Sequence, residues 1–418
     1  MIKFLNKILR KTGSKYRLEK SENNRILKQL TNNKFTENTV HYLKNDGNSV
    51  FFGYHDKTPF SEDNTKILAN SLALNEKERE NKEIKMDLGY FENINDEENS
   101  HSFVKVSETT TWNWQQGCML QWNPLNSNSE IIFNKIIDGK YGSIIYNIDS
   151  KKVIKKFNIP IYSVDPTGRY ASSLNFSRLG RIRAGYGYKN LQDNTAKSKA
   201  PEDDGVWLID MKTGEIELII DLAGLSKFTV LEKEHYINHI TFSPNGKYLA
   251  FFHFYGDDRI KRINRFYLYD IQKKEFKLLE ASRTVSHYCW RNDYEIITTE
   301  NGPGGCLYYI YNLNKETKKR LTIPNIGDLH PMVSPVNSDI IVADSRPDRK
   351  RFQHLFLFNI TTNKYKYLGR FYSPNKFTGS FRCDLHPRWD RNGEHIILDT
   401  ASEGIRNLAI VDLTNHFT

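Results

Sequence analysis

One phrase recurs along the chain and decides its fold class. Its clearest form is His239-Ile-Thr-Phe-Ser-Pro-Asn-Gly-Lys-Tyr-Leu-Ala-Phe-Phe, followed by Arg265-Phe-Tyr-Leu-Tyr-Asp and Glu275-Phe-Lys-Leu-Leu. It reads as a strand, a Ser-Pro-Asn-Gly turn, a second strand, a third ending in Asp, a turn and a fourth strand. With Phe242 as the phase mark, the phrase returns at Phe60, Trp122, Val164, Trp290, Val333 and Trp389, making seven units. Third strands repeat too: Ile144-Ile-Tyr-Asn-Ile-Asp, Val206-Trp-Leu-Ile-Asp, Leu307-Tyr-Tyr-Ile-Tyr-Asn, Leu355-Phe-Leu-Phe-Asn and Leu408-Ala-Ile-Val-Asp. No single four-stranded unit buries both faces of its sheet, so the units must pack around an axis. The reading is all-β: a seven-bladed β-propeller over residues 46–418, preceded by a short helical extension over residues 1–45.

Two units are longer than the rest. The first carries a charged insertion, Asn75 to Lys85. The third carries Phe176 to Asp204, which includes Ser177-Arg-Leu-Gly-Arg-Ile-Arg-Ala-Gly-Tyr-Gly-Tyr. The seventh lacks a fourth strand after Leu408 to Leu413, and Asn38 to Leu43 is placed to supply it and close the ring. Residues 1–11, wound as a helix, put Ile2, Leu5, Ile8 and Leu9 on one face with Lys3, Lys7, Arg10 and Lys11 mostly elsewhere. That pattern fits either a packed terminal helix or peripheral contact with an anionic membrane. It lacks the uninterrupted apolar core and small-residue cleavage site of a signal peptide.

Composition narrows the function classes. No stretch reaches the roughly 18 to 20 apolar residues of a membrane span, in line with a mean hydropathy of −0.63. Lys+Arg 60 against Asp+Glu 50 gives +10, which favours acidic partners. Cys118, Cys289, Cys306 and Cys383 show no CxxC spacing, which excludes a zinc ribbon, and the lack of a secretory signal leads to the expectation of free thiols in a cytoplasmic protein. Motifs for nucleotide hydrolysis, serine hydrolysis and dehydrogenation are absent. Nucleic-acid binding would rest on charge and aromatics alone.

The chemistry concentrates at one repeat phase. Three residues before the phase mark, four consecutive blades carry histidine: His239, His287, His330 and His386. The chain holds only 12 histidines, so four at one phase is not chance. Strand alternation puts them on a common face lining the central channel. Converging imidazoles suit a divalent metal of the Mn, Fe, Ni or Zn type, or a carboxylate-binding cluster; the alternative is that they cap the channel by bonding to backbone. Lys57 occupies this phase in blade one, just after His55. Arg178, Arg181, Arg183 and Arg382 would make a basic mouth matched to carboxylates or phosphates. Asp384, two residues before His386, would orient that imidazole. Tyr186 and Tyr188, between glycines, offer faces on which sugar rings stack.

The Ser-Pro-Asn-Gly-Lys-Tyr-Leu-Ala-Phe and Leu-Tyr-Asp phrases resemble TolB-like propeller repeats over most of residues 50 to 414. With histidines facing the channel, the chain looks like the oligogalacturonate lyase group, seven-bladed cytoplasmic enzymes that cleave short uronides with a divalent metal, typically Mn. By that resemblance His287 and His386 match metal-ligand positions. The group's last-blade strand carries a glutamine, a histidine and another histidine two residues on. Here it reads Cys383-Asp-Leu-His386-Pro-Arg388 and keeps only the middle ligand.

Two functions follow as expectations. One is a metal-dependent lyase acting by β-elimination on an acidic, uronate-containing oligosaccharide or polysaccharide. His287, His330 and His386 would hold Mn, His239 would be a fourth ligand or the base, and Lys57 or Arg178 the alternative base or carboxylate clamp. His55, Arg181, Arg183, Tyr186, Tyr188 and Arg382 would touch substrate. The other is a propeller, non-catalytic or differently catalytic, that binds an acidic glycan or protein partner in bacterial surface-polysaccharide assembly, docked on the inner membrane through residues 1–11.

Overall fold

A computed structural model describes residues 25–31, 40–73, 83–92, 102–229, 233–256, 262–302 and 305–414. Seven four-stranded antiparallel sheets form the blades of one propeller. Blade one is Ser49–Phe51, Lys66–Leu72, Met86–Glu92 and Phe103–Thr109; blade four is His235–Phe242, Tyr248–Tyr255, Ile263–Asp270 and Glu275–Glu280. Blade seven takes Arg388–Trp389, His395–Thr400 and Asn407–Asp412 from the C-terminal region, and Val40–Leu43 as its outermost strand. Val40 pairs with Val411 and Leu43 with Leu408, so the ring is closed by a strand N-terminal to residue 46.

The repeated phrase has a physical basis in its turn. In Ser243-Pro-Asn-Gly246 the Ser243 hydroxyl accepts from the Tyr248 amide at 2.9 Å, and Gly246 takes φ +68. Asp165 does the same for Tyr170 with Gly168 at φ +72, and Asp390 for Glu394 with Gly393 at φ +73. A short polar side chain therefore holds the start of the second strand while glycine supplies the left-handed residue. Burial falls outward along each blade. His235–Phe242 is buried almost throughout, whereas Thr317–Arg320 is exposed at every position. Lysine-rich outer strands such as Lys152–Phe157 leave each rim unattractive for edge pairing.

A short helix at 25–31 packs Leu27 and Leu30 into the cluster of Ile297, Tyr308 and Phe356 on blades five and six. Residues 1–11 and most of the Asn75 to Lys85 insertion lie outside the described residues. Among the described residues no helix is long and apolar enough to cross a membrane. All four cysteines are free, and burial pushes the Cys118, Cys289 and Cys383 thiols up to about 12.

Closure also depends on a buried guanidinium. Arg388 is 0% exposed and donates to the Gly53 and Tyr54 carbonyls of blade one and to Asp399 of blade seven. Replacing Arg388 by methionine leaves the buried Asp399 carboxylate with the Phe52 amide. Losing one partner of a buried pair costs about 3–5 kcal/mol, so urea unfolding of Arg388→Met should show a loss of that size. A loss under about 1 kcal/mol would mean that the closure does not depend on this charge.

Candidate metal and acidic-sugar site

Backbone bulges present the channel histidines. Met119, His239 and His386 stand at the same repeat phase, and all three adopt left-handed backbone, φ +58, +51 and +43. The blade-four ladder slips between Asn238 and Ile240, and the blade-five ladder between Val285 and His287. A non-glycine residue held at positive φ costs of order 1 kcal/mol or more, and such strain clusters where a side chain is aimed for function.

Four phase histidines and His55 meet around the axis. Ring centroids are 4.0 Å apart for His287 and His330, 4.5 Å for His330 and His386, and 5.3 Å for His55 and His330. Tyr54 lies among them, 4.9 Å from both His239 and His386. The hydrogen bonds assign tautomers to two of these rings. Nδ1 of His386 faces the Gly53 carbonyl at 2.8 Å, so it donates and Nε2 carries the lone pair. Nδ1 of His330 lies 2.8 and 3.0 Å from the Asp344 carboxylate oxygens, with the same consequence. Both Nε2 atoms are buried without a partner. An imidazole held at one nitrogen by a carbonyl or carboxylate, with the other nitrogen bare, is the usual arrangement of a metal-ligating histidine.

The ligand atoms of His330, His386 and Asp384 all lie within 4.8 Å of one another. Burial by itself would raise the Asp384 carboxyl. The Arg346 and Arg382 guanidiniums, at 2.5 and 2.7 Å, outweigh it and hold the group well below the usual carboxylate range. Burial and the neighbouring imidazoles hold His55, His330 and His386 well below the ordinary histidine value, which keeps them neutral. Two neutral imidazoles and one carboxylate form a donor set that suits a Mn, Fe or Zn type of ion.

A cavity of about 370 Å³ adjoins this group, in the range of small-ligand sites. Its wall includes His287, Arg183, Arg262, Arg346, Arg382 and Tyr186. Nδ1 of His287 is 3.1 Å from Asp328, and Arg346 bridges Asp328 to Asp384. Arg382 donates to the Tyr186 hydroxyl at 2.7 Å. Burial would raise that phenol, but Arg382 and Arg183 prevail and lower it. The local chain explains how Tyr186 gets there. Asn175 caps the helix Phe176–Ile182, accepting from the Arg178 amide, and Gly185 and Gly187 at φ +87 and +67 fold the next segment back. A Cβ on Gly187 would lie 2.3 Å from the Gly180 amide nitrogen, so only glycine allows this approach.

Several expected site residues are elsewhere. Arg178 is 1% exposed and spends its guanidinium on the His235, Thr195, Ser198 and Lys199 carbonyls and on Glu234, so it is a structural strut and neither base nor clamp. Arg181, one helical turn on, pairs with Asp193 and Glu234 on the outside. Tyr188 stacks on Phe176 at 4.4 Å and bonds Asn134, as a core residue. His55 is 0% exposed at the centre of the imidazoles, off the cavity wall. Lys57 pairs with Asp56 at 3.0 Å and sits 5.0 Å from the centre of the Tyr162 ring. His239 stacks on Tyr288 at 4.4 Å, and burial lowers it to about 3. It does not line the cavity. His287 falls outside the group of mutually close ligand atoms. Asp384 joins that group itself, while Gly53 and Asp344 do the orienting.

Arg262, Arg346, Asp328 and Asp344 were not anticipated. A signal existed for Asp344. Val333 pairs with Ile341 and Trp389 with Ile396, so Asp344 and Asp399 share one register, three residues further along. The same count reaches Asn134 and Thr299 in other blades, whose side chains pin the Ile161 amide and the Leu329 carbonyl beside the histidine phase.

No protein-family model matches the chain, and no curated protein matches it either. Solved structures match its fold. An oligogalacturonate lyase in complex with manganese superposes with a TM-score of 0.63 at 13% identity, over 91% of this chain and 97% of that one. An oligogalacturonate lyase from Vibrio parahaemolyticus gives 0.62 at 12%, over 92% and 97%. A chain of the COPII outer coat vertex on membranes gives 0.53 at 9%, over 89% and 85%. Both enzymes and coat proteins thus share the architecture, and the site has to carry the functional argument.

Proposed function

We propose that the chain is a metal-dependent lyase acting on an acidic, uronate-containing oligosaccharide or polysaccharide. One observation carries this reading: His330, His386 and Asp384 bring ligand atoms within 4.8 Å of one another, with both Nε2 atoms buried and unpartnered, beside a cavity walled by arginines. A divalent ion bound by His330, His386 and Asp384 would withdraw charge from a uronate carboxylate and acidify the neighbouring C5 proton. Arg346 and Arg382 offer planar donors to that carboxylate. His287, on the cavity wall with Nδ1 3.1 Å from Asp328, would take the C5 proton. As the C4–C5 double bond forms, the C4–oxygen bond breaks. Tyr186, whose hydroxyl accepts from Arg382, would give its own proton to the departing oxygen; burial is outweighed there by Arg382 and Arg183, whose lowering of that phenol makes it the stronger acid.

Arg388 supports a second reading. It stands where the lyase group's strand carries a second histidine, and its guanidinium is spent on Gly53, Tyr54 and Asp399, so it supplies no metal donor, which favours binding of an acidic glycan without turnover.

Metal-loaded protein incubated with oligogalacturonate should generate the ultraviolet absorbance of an unsaturated uronide, lost with chelator and restored by Mn²⁺. Tight binding with no absorbance would replace the lyase with the glycan-binding reading. The absence of any binding would remove both.

A further inference from the structure

The cavity and the group of close ligand atoms are neighbours that do not open into each other. His330, His386 and Asp384 are at most 4% exposed, and none of the three lines the cavity. The space lined by Gly53, Gln115, Asp384, His386 and Arg406 is too small for a water molecule. The boundary is made of Arg346 and Arg382, which line the cavity and pair with Asp384, and of His287, 4.0 Å from His330 between ring centres. Tyr186 completes it: its hydroxyl accepts from Arg382 at 2.7 Å, its ring meets Tyr54 edge-on at 6.4 Å, and Tyr54 lies 4.9 Å from His386. In this closed arrangement an ion held by His330, His386 and Asp384 cannot meet a carboxylate in the cavity, yet the lyase reading requires that it does.

Three of these boundary residues are fixed. His287 lies within the strand Thr284–Asn292, Arg346 is held between Asp328 and Asp384, and the Arg382 carbonyl accepts from Gln115 and Arg406. Tyr186 is placed otherwise. It stands at the tip of the blade-three insertion, between Gly185 and Gly187, residues whose backbone absorbs a hinge change at the least steric cost. The insertion's base is anchored, by Tyr188 in the core and by Arg178 on buried carbonyls. Its tip crosses to the loop before blade seven, where a Cβ on Gly185 would lie 3.1 Å from the Ser380 Cα. Among the described residues, the Tyr186 side chain is tied to that loop by its bond to Arg382. We propose that residues 183–187 are a gate. With the Tyr186–Arg382 bond made, the ligand group is shut off from the cavity; with it broken, the tip lifts and the two become one site. This rests on the metal reading of His330, His386 and Asp384, and adds that ion and substrate enter by the same movement.

The kinetics of Mn²⁺ exchange in the full chain test it. Uptake by stripped protein is followed through loss of the free ion's paramagnetic resonance, and release by transfer to excess chelator. Tyr186→Phe removes the bond that holds the gate shut and keeps the ring. A gate raises both rates by one common factor and leaves their ratio, the affinity, unchanged, because opening precedes entry and exit alike. The expected factor is about tenfold or more, the worth of a hydrogen bond to a charged group. Tyr186→Ala, which removes the ring as well, should be faster still. Rates equal to wild type in both variants would overturn the gate. So would faster release with unchanged uptake, which would make Tyr186 a support of the ligand group instead. Failure of the wild-type protein to bind Mn²⁺ at all would sink the metal reading itself, and the gate with it.

Discussion

Replacing His386 by alanine should abolish divalent-ion binding, whereas replacing His287 by alanine should leave the ion bound and abolish turnover. The two histidines occupy the same repeat phase, yet their environments divide the labour. His386 belongs to one close group with His330 and Asp384, has a buried and unpartnered Nε2, and has its other nitrogen fixed by Gly53. His287 is turned to the cavity and to Asp328. Loss of a ligand should exceed the roughly 10- to 100-fold weakening typical of losing a partner that merely orients one, and Asp344→Asn should show that smaller effect. Removing a general base typically costs about 10²- to 10⁴-fold in rate. Metal content by mass spectrometry, with a binding titration of the stripped protein, separates the outcomes, and circular dichroism confirms that both variants fold. Should His287→Ala lose its metal as fully as His386→Ala, His287 would join the ligands and the base would have to be sought elsewhere on the cavity wall.

The propeller was legible because each blade writes its turn in the same letters. Ser243 or Asp165 followed by glycine is a local hydrogen-bonding device, visible without knowledge of the rest of the chain. The closing strand was legible for a related reason: the seventh unit shows three strands of the phrase up to Asp412, and Val40–Leu43 pairs with the last of them. The histidine phase could be read as a register. Which of its members group closely could not, because register shifts at His239 and beside His287 break the simple strand alternation. The arginines show the limit most sharply. Arg178, Arg181 and Arg183 lie within six residues, and the run reads as one basic mouth. The cap at Asn175 starts a helix that turns Arg178 inward to backbone carbonyls and Arg181 outward to Asp193, so only Arg183 reaches the cavity. Arg346 and Asp328 come from blade-six loops without a repeat signature, and only folding brings them to Asp384 and His287.

Stability without metal should fall steeply below about pH 6.5, with a slope of about 4 to 5 kcal/mol per pH unit. His55, His239, His253 and His386 are all buried, and burial is the first cause that holds each below its ordinary value, His239 at about 3. In the unfolded chain each takes up a proton near pH 6.5. A lowered histidine thus leaves stability intact above 6.5 and loses it as pH falls through that value, because the unfolded state binds more protons. Four such groups give about 1.4 kcal/mol each per unit, and below about pH 6 buried Asp204, raised to about 6, offsets one of them. His330 is also lowered, but burial raises its partner Asp344 to about 7. The folded pair therefore carries one proton between about pH 4 and 6.5, as the unfolded pair does, and the two cancel. His395, raised by its bond to Asp390, acts with the opposite sign and only above 6.5. Since a domain's whole stability is about 5–15 kcal/mol, the stripped protein should unfold within one to three pH units below 6.5. Bound metal should move the transition to lower pH, since it competes with protons for the same nitrogens. Urea titrations at pH 7.5, 6.5, 5.5 and 5, with chelator and with Mn²⁺, measure both effects. A stripped protein equally stable at pH 7.5 and 5 would show that these imidazoles are not buried neutral, and the bare Nε2 atoms on which the metal site rests would lose their support.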